Sequence, residues 1–419
     1  MKLLDIFRRK SVGASGDPLA ALTGLLLGSV SSKAGVTVNR ETALRVGAVF
    51  LSIRVIAEGV AQVPFKLLQE LPSPISRHPQ RRNAIEHPLY DLLHRQPNSW
   101  QTSFEYREMI TMHAALTGRA VSFINRVDVG SQGLRIAELI PLDPGRVTVK
   151  QNADWSLTYT VQGANGVAKE FPQESIWHLR GPSWNGVDGL DVLQLAREAV
   201  GLSIATEESQ AKLHANGVQP SGLYSVDSTL DEGQYKTLKK WIEDNNAGAK
   251  RGGIMLLDRA AKFTSQVMTG VDAQHLETRG HQIEEVARFF RVLPIMLGYS
   301  GGKAATYASS EQMFLAHMVH TLMPWYERIQ QSADVNLLTR AERQKGYYTK
   351  LVEAGMLRGA LKDTAEYLYR MTMGGIMDRN EARGKLDLNP IEGLDEPLTP
   401  TNMTNDPSGA PAGQGTSNA

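Results

Sequence analysis

The run Gly298-Tyr299-Ser300-Gly301-Gly302-Lys303 is the part of this chain closest to a phosphate cradle. A P-loop needs G-x-x-x-x-G-K-[S/T], so that backbone N–H groups surround the phosphates and a hydroxyl meets the metal. Counting back from Gly302, the required first glycine falls on Leu297, and Lys303 is followed by Ala304. Nucleotide binding is therefore not expected, and the run reads as a flexible loop between helices. His317 and His320 have a helical spacing that can hold a metal, but no carboxylate completes the set and HExxH is absent. His275 and His281 point to different faces of their helix. No G-x-S-x-G elbow occurs, and no G-x-G-x-x-G follows a strand pattern. The chain has no cysteine, which removes disulfides, thiolate zinc sites, iron–sulfur clusters and cysteine nucleophiles together. Many carboxylates fall in helical pairs such as Glu232–Lys236, Lys239–Glu243 and Lys240–Asp244, where a solvated face is the expectation. No catalytic residue, cofactor site or metal site is expected. What remains is a candidate interface, Lys239, Lys240 and Trp241, in a basic cluster that its own acids largely neutralise.

Lys plus Arg number 45 and Asp plus Glu 44 in 419 residues, a net charge of +1. That balance excludes a polybasic nucleic-acid coat, which needs a large cationic excess to release counterions, but it allows DNA to pass without being gripped. Apolar residues are 42% and charged residues 21%, ordinary values for folded domains. Lys2, Arg8, Arg9 and Lys10 precede an apolar stretch from Leu19 to Val30, in the order of a signal peptide. Asp5 and Asp17 interrupt it, and the stretch is well short of the roughly 20 residues that span a bilayer. Residues 1–41 are expected to be a flexible arm that packs on a neighbour, and no membrane span is expected.

The elements that must position these residues follow from periodicity. Leu44, Ala48, Leu51 and Val55 mark one helix face, ended by Pro64. A polar, proline-rich link leads to short helices from Pro88 and Ser103, the second closed by Gly118. Strands are expected at 120–127, 134–142, 145–150, 155–161 and 175–180, separated by turn residues. From Leu190 long helices take over: 190–216, 272–293 and, after the glycine loop, a third with Leu315, Val319, Leu322, Tyr326, Ile329, Ala333 and Leu337 in a stripe. Pro324 is expected to kink that helix. Between the first two lies a small insertion of strands around a helix that Thr229 and Glu232 would cap. Short helices are expected from 346 to 388 and a disordered tail from 389 to 419, which holds no aromatic residue, Lys or Arg. The fold class is α+β.

From Thr42 to Leu388 the order of local motifs resembles the portal proteins of tailed double-stranded-DNA bacteriophages, in the siphophage-type branch. The segments are IAEGVAQVPFKLL, HPLYDLLHRQPNSWQTSFEY, LTGRAVSFINR, LIPLDPGRVTV, SIWHLRGPSWNGVDGL, HANGVQPSGLY, DAQHLETRGHQIEEVARFFRVLPIMLG, TYASSEQ, HTLMPWYERIQ and GGIMDRNEAR, in family order. Each is weak alone, and their order over most of the chain is specific. Departures from the family pattern are Arg119 in place of the usual Asn, Phe290-Arg291-Val292-Leu293-Pro294 in place of F-G-V-P-P, and Ile391-Glu392-Gly393 in place of a glycine pair.

The resemblance implies a structural protein, not an enzyme: a homododecameric ring at one capsid vertex, through which DNA is packaged and ejected. It implies an α/β wing at 42–182, joined by a kinked wing helix at 309–345. Stem helices at 183–217 and 272–296 would flank a small α/β clip at 218–271. A tunnel loop at 297–308 would bring Tyr299, Lys303 and Tyr307 to the channel, and 346–388 would be a helical crown. Implied partners are other copies of the chain, the terminase large subunit at the clip (Lys239, Lys240, Trp241), a head–tail connector or adaptor, the major capsid or scaffold protein, and double-stranded DNA without sequence preference. The implied location is the virion, reached by assembly in the host cytoplasm. The alternatives are a ring- or filament-forming bacterial scaffold without DNA and a hydrolase built on scattered carboxylates.

Overall fold

The computed structural model describes residues 30–130, 133–163, 167–216, 223–225, 231–233, 236–237, 240, 262–264, 271–300, 307–353 and 361–398. The chain divides into two compact units, one of residues 1–51 and 193–289, the other of 52–192 and 290–419.

The first unit begins with β1 (Val30–Ser31) and β2 (Thr37–Val38), a short antiparallel hairpin, followed by α1 (Arg40–Leu44). Asn39 caps α1 reciprocally: its side chain accepts from the Thr42 N–H at 2.9 Å, and Thr42 Oγ1 accepts from the Asn39 N–H at 2.9 Å. The expected flexible arm of 1–41 therefore needs correction over residues 30–41, which are paired and capped. α2 (Gly47–Ala61) then runs from the first unit into the second.

The second unit continues with β3 (Phe65–Leu71), β4 (Gln80–Asn83), α3 (Pro88–His94) and α4 (Ser103–Thr117). Then come β5 (Arg119–Asp128), β6 (Leu134–Leu142), β7 (Val147–Gln151), β8 (Leu157–Gln162), β9 (Ala168–Pro172) and β10 (Ile176–Arg180). α4 starts at a Thr102–Glu105 capping box and stops at Gly118, whose φ of 77° lies in the left-handed region that glycine enters without strain. One antiparallel sheet has the order β10-β5-β6, and a smaller one β7-β8-β9. Alternate residues of β5 serve two cores: Ala120 and Ile124 join the larger, Val121 and Phe123 the smaller.

Returning to the first unit, α5 (Val192–Leu195) and α6 (Arg197–Asn216) replace the single expected helix. β11 (Leu223–Ser225) pairs antiparallel with β12 (Lys262–Thr264), within two of the segments expected as strands. α7 (Val271–Phe290) lies beside α6, with Gln282 Nε2 donating to Thr206 Oγ1 at 3.0 Å and Arg279 3.7 Å from Glu207. The β1–β2 hairpin sits on α6 so closely that a Cβ at Gly201 would meet Ser32 Oγ at 2.3 Å.

The rest of the second unit holds α8 (Tyr307–His317), a π-helical turn at Met318–Leu322, α9 (Met323–Leu337), α10 (Arg340–Gln344), β13 (Tyr347–Leu351), α11 (Leu361–Met373) and α12 (Arg379–Lys385). α9 lies along β10 and β13, burying Tyr326, Ile329, Ala333 and Leu337. Each fully buried aliphatic side chain there contributes about 1.5–3 kcal/mol. The residue at 107 is a buried arginine that caps two helices at once. Its Nη2 donates to the Ala61 carbonyl at 2.6 Å at the end of α2, and its Nη1 to the Leu93 carbonyl at 3.4 Å near the end of α3.

Two more expectations are corrected here. Residues 346–388 are not helical throughout, because β13 adds to β3 in a sheet of order β13-β3-β4. The tail expected to be disordered from 389 is held at its start. Asn389 Oδ1 accepts from the Arg81 N–H at 2.7 Å, and Asp395 accepts from Ser76 Oγ and Asn380 Nδ2, both at 2.7 Å.

Candidate functional site

The glycine loop is gripped at its near end. After α7, Arg291 takes a φ of 57°, and its carbonyl accepts from Thr321 Oγ1 at 2.7 Å, tying the reversal to the π turn. Pro294–Leu297 form one 3-10 turn, closed by Gly298 at φ 76°. The Tyr299 N–H then donates back to the Pro294 carbonyl at 3.1 Å, leaving the Tyr299 side chain half-buried at the loop base. Lys303 lies outside the described residues. Tyr307 is the first residue of α8, and its side chain is likewise outside them.

α8 leaves this base with apolar residues turned to solvent. Met313, Phe314 and Leu315 are successive and therefore point about 100° apart, yet all are exposed, at 38%, 42% and 38%. Three adjoining apolar side chains left in water form a patch that a neighbour would cover. Beyond it, the kink expected at Pro324 is taken up by the π turn. Pro324 has no N–H to close the bond to the His320 carbonyl, and the wider turn absorbs the misfit. The turn also splits the expected apolar stripe. Leu322 onward is buried, whereas Leu315 and Val319 face solvent.

His317 and His320 do not converge: His317 is buried, its Nδ1 without a hydrogen-bond partner, and His320 is exposed. Burial lowers the His317 pKa. In the insertion, Lys240 is exposed and Lys236 pairs with Glu232 at 2.8 Å. Lys239, Trp241 and the cap residue Thr229 lie outside the described residues. His78, Asp378 and Asp395 stand close enough to share a cation. The Arg77 guanidinium already occupies Asp378 at 2.7 Å beside His78 Nε2 at 3.0 Å, and Ser76 and Asn380 fill Asp395. The cluster fastens the chain from Asp378 to Asp395 onto the β3–β4 link and is not read as a metal site.

A polar network absent from the sequence reading braces loop 181–190. Arg119, the departure noted above, binds the Asp188 carboxylate and donates to the Pro144 and Val147 carbonyls at 3.0 and 2.9 Å. Asp188 faces buried His178, whose Nε2 is 3.5 Å away and whose Nδ1 is 3.1 Å from Tyr159 Oη. Burial lowers the His178 pKa, leaving the ring neutral at neutral pH. Within the loop, Asn185 Oδ1 accepts from the Val187 and Asp188 N–H groups at 2.9 and 3.0 Å, and Ser183 Oγ accepts from the Gly186 N–H at 2.9 Å. Its base closes where the Gly181 N–H donates to the Gly118 carbonyl at 2.6 Å. At the tip Trp184 is 91% exposed. The Asn-Gly and Asp-Gly pairs at 185–186 and 188–189 were the local signal for such a built loop.

Among the described residues no helix is long and apolar enough to cross a membrane. The family model described as "Phage portal protein" matches residues 47–387. The portal protein of Enterobacteria phage HK97 is 25% identical over 361 residues, covering 86% of this chain and 82% of the phage protein. The probable portal protein of Streptomyces phage phiC31 is 27% identical over 382 residues, covering 88% and 80%. Among solved structures, a chain from the neck of a native gene transfer agent particle, computed with C12 symmetry, shares the fold. Its TM-score is 0.59 at 22% identity, with 89% of this chain and 99% of that chain covered.

Proposed function

We propose, for a chain that belongs to the phage portal protein family, that twelve copies form a ring at one capsid vertex through which DNA is packaged and later ejected. The family is structural rather than enzymatic. The observation that carries the ring is α8, whose adjoining Met313, Phe314 and Leu315 lie exposed as an apolar patch that a neighbour would cover. The twelvefold count takes its support from the symmetry named for the gene transfer agent neck.

In this reading residues 42–182 and 309–345 form the wing, 183–217 and 272–296 the stem, 218–271 the clip, and 346–388 the crown apart from β13, which adds to the wing sheet through β3. The terminase large subunit and head–tail adaptor dock on the clip through Lys239, Lys240 and Trp241. Capsid or scaffold protein surrounds the ring in the virion, and assembly takes place in the host cytoplasm. Loop 297–308 faces the channel. One Lys303 per subunit makes a ring of charge that meets phosphates without reading bases, and Tyr299 and Tyr307 flank it. A photoreactive group at residue 303 tests this in DNA-filled heads. Label on DNA is the expected result. Label only on protein, with packaging unchanged by Lys303→Ala, refutes the channel position.

A further inference from the structure

In the second unit, a cavity of about 470 Å³ lies between the start of α3, the start of β6 and the end of α9. That size is within the range of sites that take a side chain or small ligand. Leu337 and Leu338 form part of its wall, Leu134 and Val335 stand exposed at it, and Arg126 and Arg135 also line it. It thus offers aliphatic surface and, beside the carboxylates of Glu174 and Glu342, two guanidinium groups: apolar contact for an indole ring and cations for its π face.

The braced loop supplies such an indole on the same compact unit. Trp184 is exposed to water on a backbone already fixed by Ser183, Asn185 and Asp188, so little ordering entropy remains to be lost when it docks. The two features are placed for successive copies. Arg119, the first residue of β5, holds the loop, while Arg126, seven residues on, lines the cavity, a separation of about 24 Å along the strand. They also lie on opposite faces of the β10-β5-β6 sheet. Val187 of the loop packs on the smaller core, and Ile136 of the cavity packs on the larger. A projection at one end and a socket at the other, on opposite faces, give a head-to-tail contact, the kind that generates rings.

We infer that Trp184 of each copy enters the cavity at Leu134 and Val335 of the next copy. This rests on the ring reading above and names one contact within it. The test replaces Trp184 with photoreactive p-benzoylphenylalanine, an aromatic residue of similar reach, and irradiates assembled rings. The expected product is a covalent dimer whose cross-linked peptides join residue 184 to 134–136 or 335–339. Rings that assemble but give adducts elsewhere, or none, overturn the contact. Val335→Glu alters an exposed side chain, so monomer melting should be unchanged while the concentration for half-assembly rises at least tenfold. Unaltered assembly in that variant also overturns it. A wild-type chain that never assembles refutes the ring reading itself, a result distinct from rings that lack this contact.

Discussion

Gly189 faces Gly118 across the base of the Trp184 loop, and adding one methyl group there should destabilise the second unit. A Cβ at position 189 would lie 1.8 Å from the Gly118 carbonyl oxygen and 2.6 Å from its carbon. Real Cβ contacts do not fall below 3.0 Å, so the helix end and the loop must part by more than an ångström, and the opposing atoms are backbone with no rotamer to yield. Parting them stretches the Gly181 N–H bond to that same oxygen, now 2.6 Å, and shifts Asp188 off Arg119. Overpacking costs about 1–3 kcal/mol and a lost buried hydrogen bond about 1–3 kcal/mol, giving Gly189→Ala roughly 3–4 kcal/mol. Calorimetry should show the melting temperature of this unit lowered by about 6–16 °C. Gly384→Ala is the control: it lies within α12 with nothing near its would-be Cβ, and should stabilise by about 0.5–1 kcal/mol. If Gly189→Ala melts with wild type, the close approach of 118 and 189 is not what holds the loop.

Other expectations follow from buried and titrating groups. Arg107→Met leaves the Ala61 carbonyl without its side-chain donor and the Leu93 carbonyl with Ser103 Oγ alone, and should cost about 3 kcal/mol in urea unfolding; a midpoint equal to wild type contradicts the double cap. Glu342 accepts from His87 Nε2 at 2.9 Å and the Thr339 N–H at 2.7 Å, which lowers its pKa from 4.5 to about 2. A lowered folded pKa means the contribution is present above pH 4.5 and lost as pH falls toward about 2. Glu342→Gln should therefore narrow the difference between urea midpoints at pH 5 and pH 3, and an unchanged difference would count against it. Burial likewise lowers the His317 pKa below its ordinary 6.5, so folding stability falls as pH drops below that value. His317→Leu should flatten that slope without loss of stability at pH 7, and a steeper slope would contradict the assignment.

Much of this fold could be read in the residues because the signals were local. Alternation in 120–127 and 134–142 marks β5 and β6, and Gly118 marks the end of α4. The sheet β13-β3-β4 was missed because its strands are defined by each other. Gln80-Arg81-Arg82-Asn83 contains no apolar residue, and it becomes β4 only by pairing with β3, Leu68 opposite Asn83 and Leu71 opposite Gln80. Tyr347–Leu351 comes from far along the chain to cover the other edge of β3. The tail was misjudged at 389–398 because composition cannot report that Asn389 and Asp395 meet the link between β3 and β4. For the site, the glycines of loop 297–308 were legible and its anchor was not. The Arg291 carbonyl meets Thr321 only once the chain has doubled back. The braced Trp184 loop was hidden similarly, since its clamp joins Arg119 to Asp188 and Gly118 to Gly181.

The most direct test of the ring is the mass and shape of the purified full-length protein, by light scattering with electron microscopy. Twelve copies of a 46.0 kDa chain give about 552 kDa, and the particles should show twelvefold symmetry around an open channel. A stable monomer of 46.0 kDa across a range of salt and protein concentrations would contradict the account.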